Sequence, residues 1–191
     1  KMASAAGIPV YLMRRDKDLM ALVTDSVKLL DPGRGGERPE EIDPEWVKGK
    51  FGVAPSQVRD YLALVGDASD NVPGVPRVGE KTAADLLSQY PDIEAIYSNL
   101  DAIGQKKKAL RANLEAGRES MELSRTLVTL RDDVEISVSL EELEYKGLDI
   151  AKLRQFLTEL GMKTLLPALS RLGQKAGAAV SESVHPDTEG L

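Results

Sequence analysis

The sequence predicts an α/β, mostly helical protein, and three observations carry that expectation. Two short apolar runs, IPVYLM at 8–13 and VKLL at 27–30, have the length of strands, and the second is closed by Asp31-Pro32. From Pro44 onward, apolar residues recur at helical spacing in successive segments separated by caps and stops. Finally, no run approaches the roughly 20 apolar residues that span a bilayer.

In chain order, 8–13 reads as a buried strand after Gly7, and Asp18 opens a short helix over 19–23. The strand at 27–30 is followed by PGRGGERPEEIDP, read as a polar loop dense in Gly and Pro. Asp43-Pro44 starts a helix through Lys50, and Pro55 forms the first turn of a helix over 56–64 that Gly66 ends. Helices are expected over 80–89 and 92–99, and another over 106–127 interrupted at Gly117. Residues 135–138 read as weakly extended and 150–160 as an amphipathic helix. Tyr61, Tyr90, Tyr97 and Phe156 sit at spacings that suit packing. From Gly173 the periodicity is lost, so a flexible tail or interdomain linker is expected.

Composition narrows the chemistry. The 191 residues include no cysteine, and the single His185 lies in the polar tail, so a bound metal is held by oxygen, which favours Mg²⁺ or Mn²⁺. The net charge of −6 argues against coating DNA by bulk charge, while leaving room for a local basic face. The start KMASAAGIPVYLM lacks the layout of a signal peptide, and a soluble cytoplasmic protein with no membrane partner is expected.

Four features carry chemistry. Asp16 and Asp18 in RRDKDL follow the first strand, and in extended backbone positions i and i+2 face the same side. Asp67 and Asp70 in GDASDN have i,i+3 spacing, which a helix or tight turn brings to one side. Each pair alone is better served by capping and turn roles, and it is the occurrence of two such pairs beside structural junctions that shifts the balance toward a metal. The third feature, VPGVPRVG at 72–79, leads into a helix opened by Glu80-Lys81-Thr82. Gly74 and Gly79 there free the backbone, and a helix start offers N–H groups to a phosphate. GEKT is not a Walker motif, because the preceding glycine is missing at the required spacing. The fourth, QKKKALR at 105–111, places Lys106, Lys107, Lys108 and Arg111 together, as a solvated helix face or a contact to a duplex backbone.

Taken together, GDASDNVPGVPRVGEKTA, DKDLMALV at 16–23 and ELSRTLVTLRDDVEI at 122–136 resemble the 5'-nuclease (5'-3' exonuclease) region of bacterial DNA polymerase I, of the flap endonuclease superfamily. The resemblance covers about residues 3–169 and corresponds to the carboxy-terminal part of that region. It implies a partial PIN-like nuclease core plus a helix-three-turn-helix, or helix-hairpin-helix-like, element that grips DNA. By that resemblance 1–59 is the carboxy-terminal part of the α/β core, 60–170 the helical DNA-binding region, and 171–191 a tail or linker. Asp16, Asp18, Asp67 and Asp70 are then catalytic metal ligands for two Mg²⁺ or Mn²⁺ ions. The resemblance places the glycine turn and the helix after it (Gly74, Val78, Gly79, Lys81, Thr82) on double-stranded or branched DNA, with K⁺ at the turn, and from their charge Arg77 and the basic cluster are expected to join that contact.

The same resemblance implies polymerase domains downstream and activity on 5' ends or flaps in replication and repair. The family's first strand, further metal carboxylates and basic arch lie outside this sequence. Arg15 stands where the family carries a small residue, and Arg77 where it carries a glycine, so Arg77 either strains the turn or adds a phosphate contact. A non-catalytic duplex-DNA-binding module is the competing expectation, resting on the glycine turn and QKKKALR.

Overall fold

Both apolar runs form strands in the computed structural model, which describes residues 1–14, 16–33, 38–145 and 147–172. The tail expected from Gly173, and Arg15, lie outside the described residues. Strand β1 (Val10–Met13) pairs in parallel with β2 (Val27–Asp31), in the register Val10 to Val27 through Met13 to Leu30. Parallel neighbours need a crossover, which here contains, among the described residues, a single 3-10 segment over Asp18–Leu22.

A third strand, β3 (Glu40–Ile42), joins β2 antiparallel with Leu29 opposite Ile42, giving the order β1-β2-β3. It lies inside the stretch expected to be loop. Three residues with one apolar side chain show no period of their own; pairing on β2 and the burial of Ile42 make the strand. The product is a mostly helical α/β fold with a small mixed sheet.

Contacts divide the chain into two units, Lys1–Ser137 and Val138–Leu191. The first unit begins with a one-turn helix α1 (Met2–Ala5) that the sequence did not signal. Helix α2 (Pro44–Phe51) is capped by Asp43, whose Oδ1 accepts the Trp46 N–H at 2.8 Å, and ends at Gly52 in the left-handed region. A 3-10 turn at Pro55–Gln57 leads into α3 (Val58–Val65). Val58, Tyr61, Leu62, Ala63 and Leu64 are all buried, so α3 is the central helix of this unit. Tyr61 meets Phe51 edge-on, with centroids 5.4 Å apart, and burial pushes its hydroxyl up to about 12.

Helices α4 (Glu80–Gln89) and α5 (Ile93–Ser98) follow as expected, with Asp92 capping α5 through the Ala95 N–H. The long basic helix expected next is instead three: α6 (Leu100–Lys106), α7 (Lys108–Ala116) and α8 (Arg118–Val128). One break is at Lys107, which leaves helical geometry. The other is at Gly117, where an added Cβ would lie 2.7 Å from Val75 Cγ1. The missing side chain lets the α7–α8 elbow press on residues 75–76.

Helix α8 packs along α3, and a charge network joins them. Asp60, only 3 % exposed, accepts the Ile93 N–H at 3.1 Å through Oδ2, while its Oδ1 faces Arg59 and Arg125. No strand forms over 135–138, where Ile136 is exposed and, among the described residues, no strand pairs with it.

In the second unit, Asp149 caps α9 (Ile150–Glu159) through the Lys152 N–H. Leu157 is buried, but Phe156 is 55 % exposed, which corrects the expectation that it packs. Neighbours one position apart on a helix point about 100° apart, and the inward direction falls to Leu157.

Candidate metal centre and nucleic-acid interface

The first acidic pair is set by a turn rather than by extended backbone. Lys17 has helical dihedrals, and Asp16 Oδ1 accepts the Asp18 N–H at 3.2 Å as the 3-10 segment begins. The turn therefore corrects the alternation argument while keeping both carboxylates just beyond β1. Arg14 Nε lies 3.4 Å from Asp16 Oδ2.

The second pair follows α3. Gly66 ends that helix, and Asp67 and Val72 exchange backbone hydrogen bonds of 2.9 Å, closing a small loop with Asn71 in the left-handed region. Within it Asp67 Oδ1 accepts the Ser69 N–H at 3.0 Å and the Ser69 hydroxyl, and Asp67 Oδ2 accepts Lys17 Nζ at 2.7 Å. The Asp67 side chain is 4 % exposed.

Burial raises the Asp18 carboxyl above its ordinary range, and the charges of Asp16, Asp70 and Asp67 raise it further, against the pull of Lys17. The two pairs, some fifty residues apart, thus face one another electrostatically. For Asp67, burial works upward, but the hydrogen bonds from Lys17 and Ser69 prevail and hold its carboxyl below the usual range. An open cleft of about 230 Å³ is lined by Arg14, Asp16, Lys17, Asp67, Ser69 and Asp70.

Among the described residues, no three acidic or histidine side chains converge tightly enough to enclose an ion. The donor set is all oxygen, and Mg²⁺ typically binds through one or two carboxylates while keeping several waters. An open, acid-walled cleft fits that mode better than a closed protein cage.

The connection from α3 to α4, residues 66–79, is the second part of the site. Gly66 (φ +80°) and Gly74 (φ +65°) lie back to back: a Cβ on Gly74 would fall 2.5 Å from Gly66 N. Val72, Val75 and Val78 turn inward and are buried, leaving Arg77, Gly79 and Lys81 exposed and Thr82 half-buried.

Gly74 is clamped by α8. Its N–H donates to Ser124 Oγ at 2.8 Å, and its carbonyl accepts the Ser120 hydroxyl at 2.6 Å. Ser124 is fully buried and in turn donates to the Ser120 carbonyl. Gly74 and Val78, both expected at the DNA contact, are buried and shape the turn from within. Ser120, Ser124, Lys17 and the Asp60 network escaped the sequence reading. The i,i+4 spacing of the two serines is the one signal, and it does not tell a buried serine face from a solvated one.

Arg77 is exposed, so strain in its backbone and a phosphate contact from its side chain are compatible. At φ +66° it holds left-handed backbone that suits glycine, so it strains the turn. Arg77→Gly is expected to stabilise the chain by about 1 kcal/mol, read as a higher urea midpoint at unchanged slope.

Gly79 caps α4, and the first helical donor, Ala83 N–H, reaches Gly79 O at 3.0 Å, so the N–H groups of Glu80, Lys81 and Thr82 have no partner within the helix. In the basic cluster Lys106, Lys107 and Lys108 are exposed. Arg111 is already engaged by Asp101 (2.7 Å) and Glu115 (2.8 Å), with Gly104 close beneath its side chain.

A parallel strand pair with carboxylates just beyond β1, followed by a helical region with a glycine turn, defines an α/β protein with an acidic cleft outside its strands. The family model described as 5'-3' exonuclease, C-terminal SAM fold, matches residues 53–151. The chain belongs to this 5'-3' exonuclease family and is related to bacterial DNA polymerase I. It is 38 % identical over 187 residues to DNA polymerase I of Bacillus subtilis, covering 98 % of this chain and 21 % of that protein. To a 5'-3' exonuclease of Aquifex aeolicus it is 40 % identical over 173 residues, 91 % of this chain and 56 % of that one. The chain therefore spans about a fifth to just over half of these relatives.

A bacteriophage T5 flap endonuclease, solved with DNA and metal ions, superposes with a TM-score of 0.56 at 22 % identity, over 66 % of this chain and 45 % of that one. That likeness is one of fold.

Proposed function

We propose that the chain is part of a divalent-metal-dependent 5'-nuclease that hydrolyses phosphodiester bonds at DNA 5' ends or flaps during replication and repair. The observation that carries this reading is one cleft lined by Asp16, Asp67 and Asp70, whose charges also reach Asp18, in a chain whose glycine turn carries exposed Arg77 and Lys81. Asp67 and Asp70 lie within the stretch matched by the family model.

In this reading residues 66–79 with their flanking helices are a helix-three-turn-helix element, and β1 to β3 belong to a PIN-like core. The four aspartates hold two Mg²⁺ or Mn²⁺ ions. Bound divalent ions supply an activated water and neutralise charge on the leaving oxygen, chemistry that needs neither Cys nor His. Lys81, Thr82, Gly79 and the first-turn N–H groups of α4 hold a backbone phosphate of the duplex, with K⁺ at the turn. Arg77 and the exposed lysines 106–108 extend the grip. Downstream polymerase domains and cytoplasmic residence accompany the reading through the relatives that carry the DNA polymerase I name.

A Mg²⁺-dependent assay on a labelled 5'-flap duplex, run on this chain together with the amino-terminal half that the family carries, tests it: cleavage appears with Mg²⁺ or Mn²⁺ and stops when a chelator removes the metal. A pairing of the chain with that half that binds the flap duplex but cuts nothing under either metal sinks the catalytic reading. That outcome would favour the non-catalytic duplex-binding module, which rests on the glycine turn and the exposed lysines 106–108. Binding by either route weakens steeply with salt, because phosphate contacts release counterions.

A further inference from the structure

Lys17 is the exposed member of an ion pair whose other member is buried. Its Nζ lies 2.7 Å from Asp67 Oδ2, with the lysine side chain 50 % exposed and the carboxylate 4 % exposed. Asp67 Oδ1 is already held by the N–H and hydroxyl of Ser69. A cation reaching Asp67 therefore arrives at Oδ2, where the ammonium sits. Lys17 also lies between Asp16 and Asp18 in the turn, and its charge offsets the repulsion that Asp18 feels from the other three carboxylates.

Two cations on one carboxylate oxygen repel, and a lysine on a flexible four-carbon stem can leave where a buried carboxylate cannot. We propose that Lys17 is a tethered counter-ion: it holds the cation position on Asp67 in the metal-free protein, yields it to a divalent ion, and then offers its ammonium to a DNA phosphate at the cleft mouth. The proposal rests on the metal-dependent reading of the cleft and adds to it a coupling between metal arrival and phosphate contact. No bond is made or broken in the exchange; one cation replaces another.

The test is Mn²⁺ binding to the whole chain without DNA, read by the electron paramagnetic resonance of the free ion. Lys17→Met is expected to tighten Mn²⁺ about tenfold, and Lys17→Arg, which keeps the charge, to stay near wild type. In wild type Mn²⁺ also strengthens binding to a flap duplex made uncleavable by phosphorothioate, and Lys17→Met loses that gain. An unchanged or weaker Mn²⁺ affinity in Lys17→Met overturns the proposal. If Lys17→Met melts early because the acidic cluster lacks its counter-charge, saturating Mn²⁺ restores its melting temperature; failure to restore it counts against the proposal. Absence of Mn²⁺ binding in wild type would be seen before any variant is compared, and it removes the metal reading and this proposal with it.

Discussion

Gly74→Ala is expected to cost about 4 kcal/mol, a large part of the 5–15 kcal/mol typical of a folded domain. Two penalties add at this position. The backbone sits at φ +65°, where a Cβ is opposed by its own peptide, and the new methyl group would lie 2.5 Å from Gly66 N and from the carbonyl of Val65. Those neighbours are backbone atoms at the end of α3, so the clash cannot be relieved by turning a side chain. Any backbone shift also pulls the Gly74 N–H and carbonyl away from Ser124 and Ser120, leaving buried polar groups unpaired. Urea unfolding followed by circular dichroism reads the loss. A shift below about 1 kcal/mol would mean that the turn is plastic and that the serine clamp does not set its shape.

The parts legible in sequence are those whose causes are local. Helix α4 begins after Gly79 and runs through Gln89 because the glycine, the acidic first turn and the spacing of Ala83, Leu86 and Leu87 all agree. The acidic pairs are legible as pairs, since each stands at a junction between elements. What the sequence withholds is the meeting of distant segments. Glu40–Ile42 becomes a strand only by lying against β2, and Lys17 meets Asp67 only once the crossover and the loop after α3 are folded together. Ser124 looks like an ordinary solvated helix serine until Gly74 is brought to it. Such residues are chosen by tertiary geometry, and no periodicity marks them.

The turn and the cleft share one short segment. Asp67 closes a backbone bridge with Val72, and Gly74, two residues beyond, is held by α8, so a rigid path of a few residues joins the carboxylates to the surface proposed to grip DNA. In the proposed function this spacing fixes how far from the gripped phosphate the cut falls, and its value lies in rigidity rather than in charge.

Asp67→Asn combined with Asp70→Asn separates grip from chemistry. The amide introduced at position 67 retains an oxygen for Ser69, so the local loop keeps its hydrogen bonds, while the charge that holds Lys17 or a divalent ion is gone. Cleavage of a 5'-flap duplex is expected to fall at least about 1000-fold under single-turnover conditions, because a metal that loses its carboxylates no longer positions or activates water. Metal-free binding of the same duplex, read by fluorescence anisotropy, is expected to stay within about threefold, since Lys81, the α4 first turn and Lys106 to Lys108 are untouched. Equal loss of binding and cleavage, in a variant whose melting curve matches wild type, would place these carboxylates in the grip rather than the cut. Cleavage that survives would remove Asp67 and Asp70 from the chemistry altogether.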